Sequence, residues 1–243
     1  MFNTLPPITR NIIILNVIVF GVFYLLNSQA LYMKFAAFYP FSPYFRSWQV
    51  VTHMFMHGGL MHILFNMFTL YSFGPVLERI LGEKKYVILY FVSGLGAFFL
   101  FNLWNFMEVQ QIQTSLESFG FDLNGYLSGQ SVSFKGNAEA IAMQQGLVNN
   151  LQSILTVPMV GASGAIFGVI AAFATLFPDA EIGIMFIPIP VKVKYVLPVI
   201  IVGSIFLGVT GNVGGIAHLA HVGGALVGFL LAMYWKKNRF RIN

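Results

Sequence analysis

Six stretches of this chain are long and apolar enough to be committed to lipid: about residues 11–27, 60–77, 86–106, 159–177, 193–210 and 214–235, the fourth and fifth with ragged ends. A helix needs roughly 20 mostly apolar residues to cross a bilayer. Within the hydrocarbon only helices and closed barrels satisfy their own backbone hydrogen bonds. The pattern therefore predicts an all-α membrane protein, one domain over residues 1–243 with six transmembrane helices. Only 9% of residues are charged, against about 25% in soluble domains. No signal-peptide cleavage site follows the first apolar run, so it reads as a retained helix.

The few charges are placed with a bias. Arg10, Arg79, Lys84, Lys85, Lys192, Lys194, Lys236, Lys237, Arg239 and Arg241 fall on one side of a six-span chain, and Lys34, Arg46 and Lys135 on the other. Basic residues concentrate on the cytoplasmic side, so both termini are expected in the cytoplasm. Trp48, Trp104 and Trp235 fall near span ends, as interfacial aromatics do. The net charge of +5 sits at the ends of apolar segments, which fits topology control and not nucleic-acid binding. With no cysteine, neither disulfides nor thiolate chemistry is available.

Two connections on the outer side are long. The first, about 28–59, is rich in aromatics and proline ("FAAFYPFSPYFRSWQ") and is expected to fold back on the membrane domain. The second is a polar insert, about 107–158, before the fourth helix. Its last part places Ile141, Leu147, Leu151, Ile154 and Leu155 at helical spacing, which predicts an amphipathic helix on the outer leaflet.

Polar groups inside spans are costly and mark functional candidates. Here they are His62 and Asn66 in the second span, Ser163 in the fourth, and His218 and His221 in the sixth. Ser163 opens the fourth span between Gly161 and Gly164, where free N–H groups and the helix dipole favour negative charge. Taken alone, G-x-S-G reads more readily as a small-residue packing face. In the sixth span, His221, Gly224 and Gly228 share one face, and the fourth span carries Gly164 and Gly168 on a comparable one. Two such stripes let helix backbones approach closely, which would bring the His221 imidazole toward Ser163. Imidazole is the usual base for a serine nucleophile. His218, one turn earlier, is the rival base. His62 and Asn66, four residues apart, present two donors on one helix face. They suit an oxyanion site, or equally a polar pair tying helices together. No carboxylate falls in the interior of the last three spans, so a Ser-His dyad is expected, with the Phe167 ring holding His221. His53 and His57, with Met54 and Met56, form a second histidine pair that could suit a soft metal, but no carboxylate or cysteine joins them.

Three motifs in order, "HILFN" at 62–66, "GASG" at 161–164 and "AHVGGALVG" at 220–228, resemble those of the rhomboid intramembrane serine proteases. The stretches "WQVVTHMFMHGGLMHILFNM" and "GPVLERILGEKKYVILYFVSGLGA" are similar too, so the likeness covers roughly 46–97 and 160–235. It implies a rhomboid-like bundle with Ser163 as nucleophile, His221 as general base, and His62 and Asn66 as oxyanion donors. Gly161, Gly164, Phe167, Gly224 and Gly228 would support the site, with no metal and no cofactor. The implied partners are transmembrane protein substrates and the lipid bilayer, with no nucleic acid; the oligomeric state stays open. The implied location is a bacterial cytoplasmic (inner) membrane. The chain departs from the family pattern at Gln49, where Trp-Arg is frequent, and at Phe167, where tyrosine is frequent. The alternative is an inactive rhomboid-like protein that binds and escorts membrane proteins. Such relatives lack the serine or the histidine, and both are present here.

Overall fold

The computed structural model describes residues 5–130, 133–184, 187–210 and 216–238. The first residues of the sixth span, and Arg239 and Arg241, lie outside them. Helices dominate: α1 (Pro7–Leu26), α2 (Gln29–Phe35), α3 (Gln49–Thr52), α4 (Leu60–Leu81), α5 (Glu83–Ser118), α6 (Leu123–Leu127), α7 (Ala138–Thr156), α8 (Ser163–Leu176), α9 (Val193–Thr210) and α10 (Ile216–Asn238). An antiparallel hairpin between α8 and α9, β1 (Glu181–Ile184) and β2 (Ile187–Lys192), departs from the all-helical expectation; Glu181 pairs with Lys192 and Ile182 with Val191. Among the described residues, α1, α4, α5 and the His218–Asn238 part of α10 are long and apolar enough to cross a membrane; α8 and the Val193–Gly203 part of α9 are apolar but shorter. The chain is an integral membrane protein.

α8 is the axis of the bundle. At 14 residues it is about 21 Å long, shorter than the roughly 30 Å hydrocarbon core. Ala165, Val169, Ala171 and Ala172 are buried on it. It packs most extensively on α10 and α5. Small residues make this possible, because a Cβ on Gly224 would strike the Gly164 carbonyl and one on Gly228 the Gly168 carbonyl.

α1 is tied to α4 by a carboxylate. Pro7 opens α1, where its missing N–H costs nothing. The free N–H groups that follow, on Ile8 and Thr9, donate to Glu78 Oε1 (2.8 Å) and Oε2 (2.7 Å), and the Thr9 hydroxyl donates to Oε2 (2.7 Å). Glu78 is buried, and these three donors offset its desolvation. A Cβ at Gly74 would lie 2.9 Å from Thr9 Cγ2, so this glycine sets the closeness of the contact.

The first long connection does fold back. Ala36, Ala37, Phe38 and Tyr39 are buried within it. Its organiser is Gln49, itself fully buried. Gln49 Oε1 accepts from Arg46 N (3.0 Å), and Nε2 donates to Tyr44 O (3.1 Å) and Met33 O (3.2 Å). A neutral amide thus ties the loop at the position where the family pattern favours arginine.

The polar insert departs from its expected layout. α5 runs on to Ser118, well past the apolar segment's end near 106. Hydropathy marks where the apolar run stops, but Glu and Gln are good helix formers and carry the helix on into "MEVQQIQTSLES". α7 lays its apolar face on this extension. Val148, Leu151 and Ile154 join Val109, Ile112, Leu116, Phe121, Leu123 and Tyr39 in a second core. The amphipathic helix therefore covers protein with the face expected to meet lipid.

Replacing Glu78 by Ala leaves the buried Thr9 N–H without its acceptor, at about 1–3 kcal/mol, and the half-buried Ile8 N–H as well. The expected outcome is a clearly lowered Tm in detergent, with Glu78→Gln intermediate because it keeps one acceptor oxygen. An unchanged Tm in Glu78→Ala would refute the capping account.

Candidate active site

The approach to α8 is an extended segment pinned from both sides. Met159 N donates to Ala37 O (2.7 Å) and Ala37 N to Met159 O (2.9 Å); Gly161 N donates to His53 O (2.9 Å). Gly161 has φ +123°, a region L side chains rarely adopt, and a Cβ there would sit 2.8 Å from His62 Cε1 and Nε2. Glycine is required on both counts. The chain then turns into α8 at Ser163. No side chain caps this helix start, so its first N–H groups remain free to donate.

The glycine crossing brings α10 against α8, and His221 Nε2 lies 2.9 Å from Ser163 Oγ. With the hydroxyl as donor, Nε2 is the acceptor. Phe167, one turn on from Ser163, stacks on the His221 ring at 4.2 Å between centroids and 1° between planes. His218 meets His221 edge-on at 6.0 Å.

α4 supplies the opposite wall. His62 Nδ1 accepts from Gly58 N at 3.4 Å, which leaves the proton on Nε2, the atom that faces Gly161. Asn66 is buried and its Nδ2 has no acceptor among the described residues. Both residues line, with Ser163, Phe167 and His221, a cavity of about 390 Å³. No Asp or Glu is among its lining residues. The arrangement offers a hydroxyl, an imidazole in contact with it, and amide and imidazole donors across a space that can hold a small polar group.

The residues that the resemblance implies for the site lie close together, in two layers. Gly161 packs against the His62 ring, and Ser163, Phe167, His221, His62 and Asn66 line the cavity. Gly164, Gly224 and Gly228 lie in the helix crossing behind it, acting through backbone approach. The sequence reading missed the third member of that crossing. α5 contributes Ser93, Gly96 and Ala97: a Cβ on Gly168 would strike Ser93 Oγ, one on Gly164 would strike Ala97 Cβ, and one on Gly223 would lie 2.7 Å from Gly96 O. The small-residue run "SGLGA" at 93–97 was the available signal. His53 and His57 are engaged separately. His53 Nδ1 is 2.8 Å from Gln49 O, while the His57 ring packs edge-on against His62 at 5.1 Å.

A family model described as a rhomboid domain matches residues 44–238. Among curated proteins, the rhomboid protease GlpG of Salmonella choleraesuis is 36% identical over 91 residues, 37% of this chain and 32% of that protein. Those of Salmonella paratyphi A and Salmonella typhi are 34% identical over the same lengths and shares. The chain thus spans about a third of the length of the curated relatives it matches.

Burial holds the His53 imidazole neutral, with its pKa lowered to about 4 from an ordinary 6.5. A depressed folded-state value means that the unfolded chain binds the proton first. Stability contributed by this group is complete above pH 6.5 and is lost as pH falls from there toward 4. The expected outcome is a Tm that drops across this window. His53→Asn, which does not titrate, should show a shallower drop. Equal slopes would overturn the assignment.

Proposed function

The chain belongs to the rhomboid family, and on that premise we propose that it is an intramembrane serine endopeptidase that cuts transmembrane segments of other membrane proteins with a Ser163–His221 dyad. The observation that carries this reading is the 2.9 Å Ser163–His221 contact opening on a cavity into which a buried Asn66 amide presents an unused donor.

In the proposed reaction His221 Nε2 takes the Ser163 proton as Oγ attacks the scissile carbonyl. The oxygen's developing charge is received by the free Ser163 N–H, His62 Nε2 and the Asn66 amide, donors aimed where charge exists only in the transition state. Collapse breaks the peptide C–N bond, and the imidazolium returns its proton to the leaving amine. Water, deprotonated by His221, then attacks the acyl carbon; the ester C–Oγ bond breaks, and His221 returns the proton to Ser163 Oγ. Phe167 orients the imidazole by stacking, in the place a carboxylate holds in a triad. The chemistry is complete without a metal or cofactor.

The substrate class follows from the surroundings. A groove of about 820 Å³ between α4 and α9 is lined mainly by apolar residues such as Phe68, Phe73, Val199 and Ile200, and it shares Thr69 and Ile170 with the Ser163 cavity. A segment arriving from lipid through this groove meets the serine without crossing water. α1, α4, α5, α8, α9 and α10 serve as six spans, with both termini cytoplasmic in a bacterial inner membrane. Lys85 and Lys236, which flank one pocket at the far end of α8, fit the cytoplasmic face. The scissile stretch must unwind, so small or helix-breaking residues near the cut are expected.

Ser163→Ala should abolish cleavage of a model transmembrane substrate and labelling by a fluorophosphonate while leaving Tm unchanged. His221→Ala should be equally inactive, because the pair acts as a unit, whereas His218→Ala retains turnover. Activity in Ser163→Ala, or the two histidine outcomes exchanged, would overturn the assignment. Wild-type protein that neither cleaves nor labels would favour the escort reading.

His62→Ala and Asn66→Ala should each slow kcat by roughly a hundred- to a thousandfold, with KM little changed and labelling slowed but present. If Tm falls and turnover does not, the pair holds helices together and takes no part in the chemistry.

A further inference from the structure

The insert and the first long loop enclose a second groove, of about 840 Å³, separate from the catalytic cavity. One wall is α5 beyond Phe106, and another is the end of α7. The chemistry of its lining is specific. None of the lining residues is charged, so it offers no ion pair to a phosphate or a lipid headgroup. Gln110 and Gln113 on α5 and Gln152 on α7 present side-chain amides, each able to donate and accept as a peptide unit requires. Between them lie rings: Phe41 packs on Tyr39 at 5.4 Å and on Phe106 at 6.3 Å, and Tyr44 and Tyr126 complete the lining. Phe41 is 73% exposed and Leu127 52%, so the groove presents open apolar surface. Grooves lined with aromatics accept extended, proline-containing peptides.

The groove is separate from the catalytic cavity but lies a short stretch of chain away from it. Leu155 and Thr156 line the groove, and Val160 lines the Ser163 cavity. The extended residues between them cover only about 13 Å at 3.3 Å per residue. The same first loop flanks this strand throughout: Ser42 Oγ donates to Leu155 O (2.6 Å), and Ala37 pairs with Met159. A chain leaving the cavity along this strand enters the groove within about four residues.

We propose that this groove is an exosite for the extended, uncharged, proline- or aromatic-containing segment that flanks the scissile bond of the substrate where it leaves the membrane. The inference rests on the proposed protease activity, and it gives the insert the task of selecting substrates by their flank.

The test uses the full chain and two model substrates sharing one transmembrane helix and cut site. One carries a flank of alternating proline, leucine and glutamine; the other carries glycine and serine. Wild type should cleave the first with about tenfold higher kcat/KM, as expected from losing a few hydrogen bonds and ring contacts. In Phe41→Ala and in Gln113→Ala/Gln152→Ala that preference should shrink to about twofold or less, with glycine–serine turnover, fluorophosphonate labelling and Tm unchanged. In the Ser163→Ala protein, p-benzoylphenylalanine replacing Leu127 should crosslink to the proline-containing flank. Crosslinks only to lipid or to a second copy of the chain, or an equal loss on both substrates, would overturn the exosite. Failure of the activity itself is read separately: wild type would then cleave neither substrate and take no label, while the crosslink would still report on the groove.

Discussion

Where α8 crosses α10, the Gly164 carbonyl fills the space a Cβ on Gly224 would need, and the Gly168 carbonyl does the same at Gly228. Lipid tails are as apolar as leucine, so helices in a membrane gain little from hiding apolar surface from one another. Close packing has to supply the association. The crossing is therefore both the main cohesive contact of the bundle and the device that sets the distance between Ser163 and His221. A larger side chain at any of the four glycines moves α10 outward and carries the imidazole away from the hydroxyl. α5 closes the contact from a third side through Ser93, Gly96 and Ala97.

Around this apolar crossing, three buried polar side chains are held by several hydrogen bonds each. Glu78 is matched to the two free N–H groups at the start of α1 and to the Thr9 hydroxyl. Gln49 bonds the backbone of Phe38, Arg46, Met33, Lys34 and Tyr44 with one amide. Gln144 does likewise in the insert, accepting from Lys135 N and donating to Lys135 O. A buried polar group without partners costs several kcal/mol, and each of these side chains is saturated. Asn66 Nδ2 is one of the buried polar atoms with no partner among the described residues, and its residue lines the cavity beside Ser163. In the proposed reaction this idle donor would receive the transient negative charge.

The loops have a comparable logic. The first loop touches the strand before Ser163 through Ala37, and His53 holds Gly161. It reaches the insert through Ser42 and Leu155. One segment thus connects the proposed dyad, the extended strand before it and the second core built by α5 and α7. Anything bound against the insert is mechanically close to the serine.

The apolar segments were legible because lipid imposes a length and a composition on every helix that crosses it, and the motif spacings were legible because a helix repeats every 3.6 residues. His62 with Asn66, and His221 with Gly224 and Gly228, were placed on shared faces by that period alone. Charge bias gives only an expected orientation, since it is a property of loops and not of packing. What the sequence left unreadable depended on contacts between distant segments. α5 outran its apolar stretch, because helix propensity continues where hydropathy stops. α7's apolar face met α5 and not lipid, which no pattern within α7 can specify, since an apolar face looks the same whichever apolar surface covers it. Gln49 stood out only as a departure from a family pattern; its role as the knot of the first loop lies in carbonyls as far as 16 residues away. The sequence by itself determined which residues share a helix face and which helices lipid can hold. Tertiary structure alone decided that the faces of α4, α8 and α10 meet around one cavity, because only the interlocking of glycine backbones fixes how close, and at what level, those helices cross.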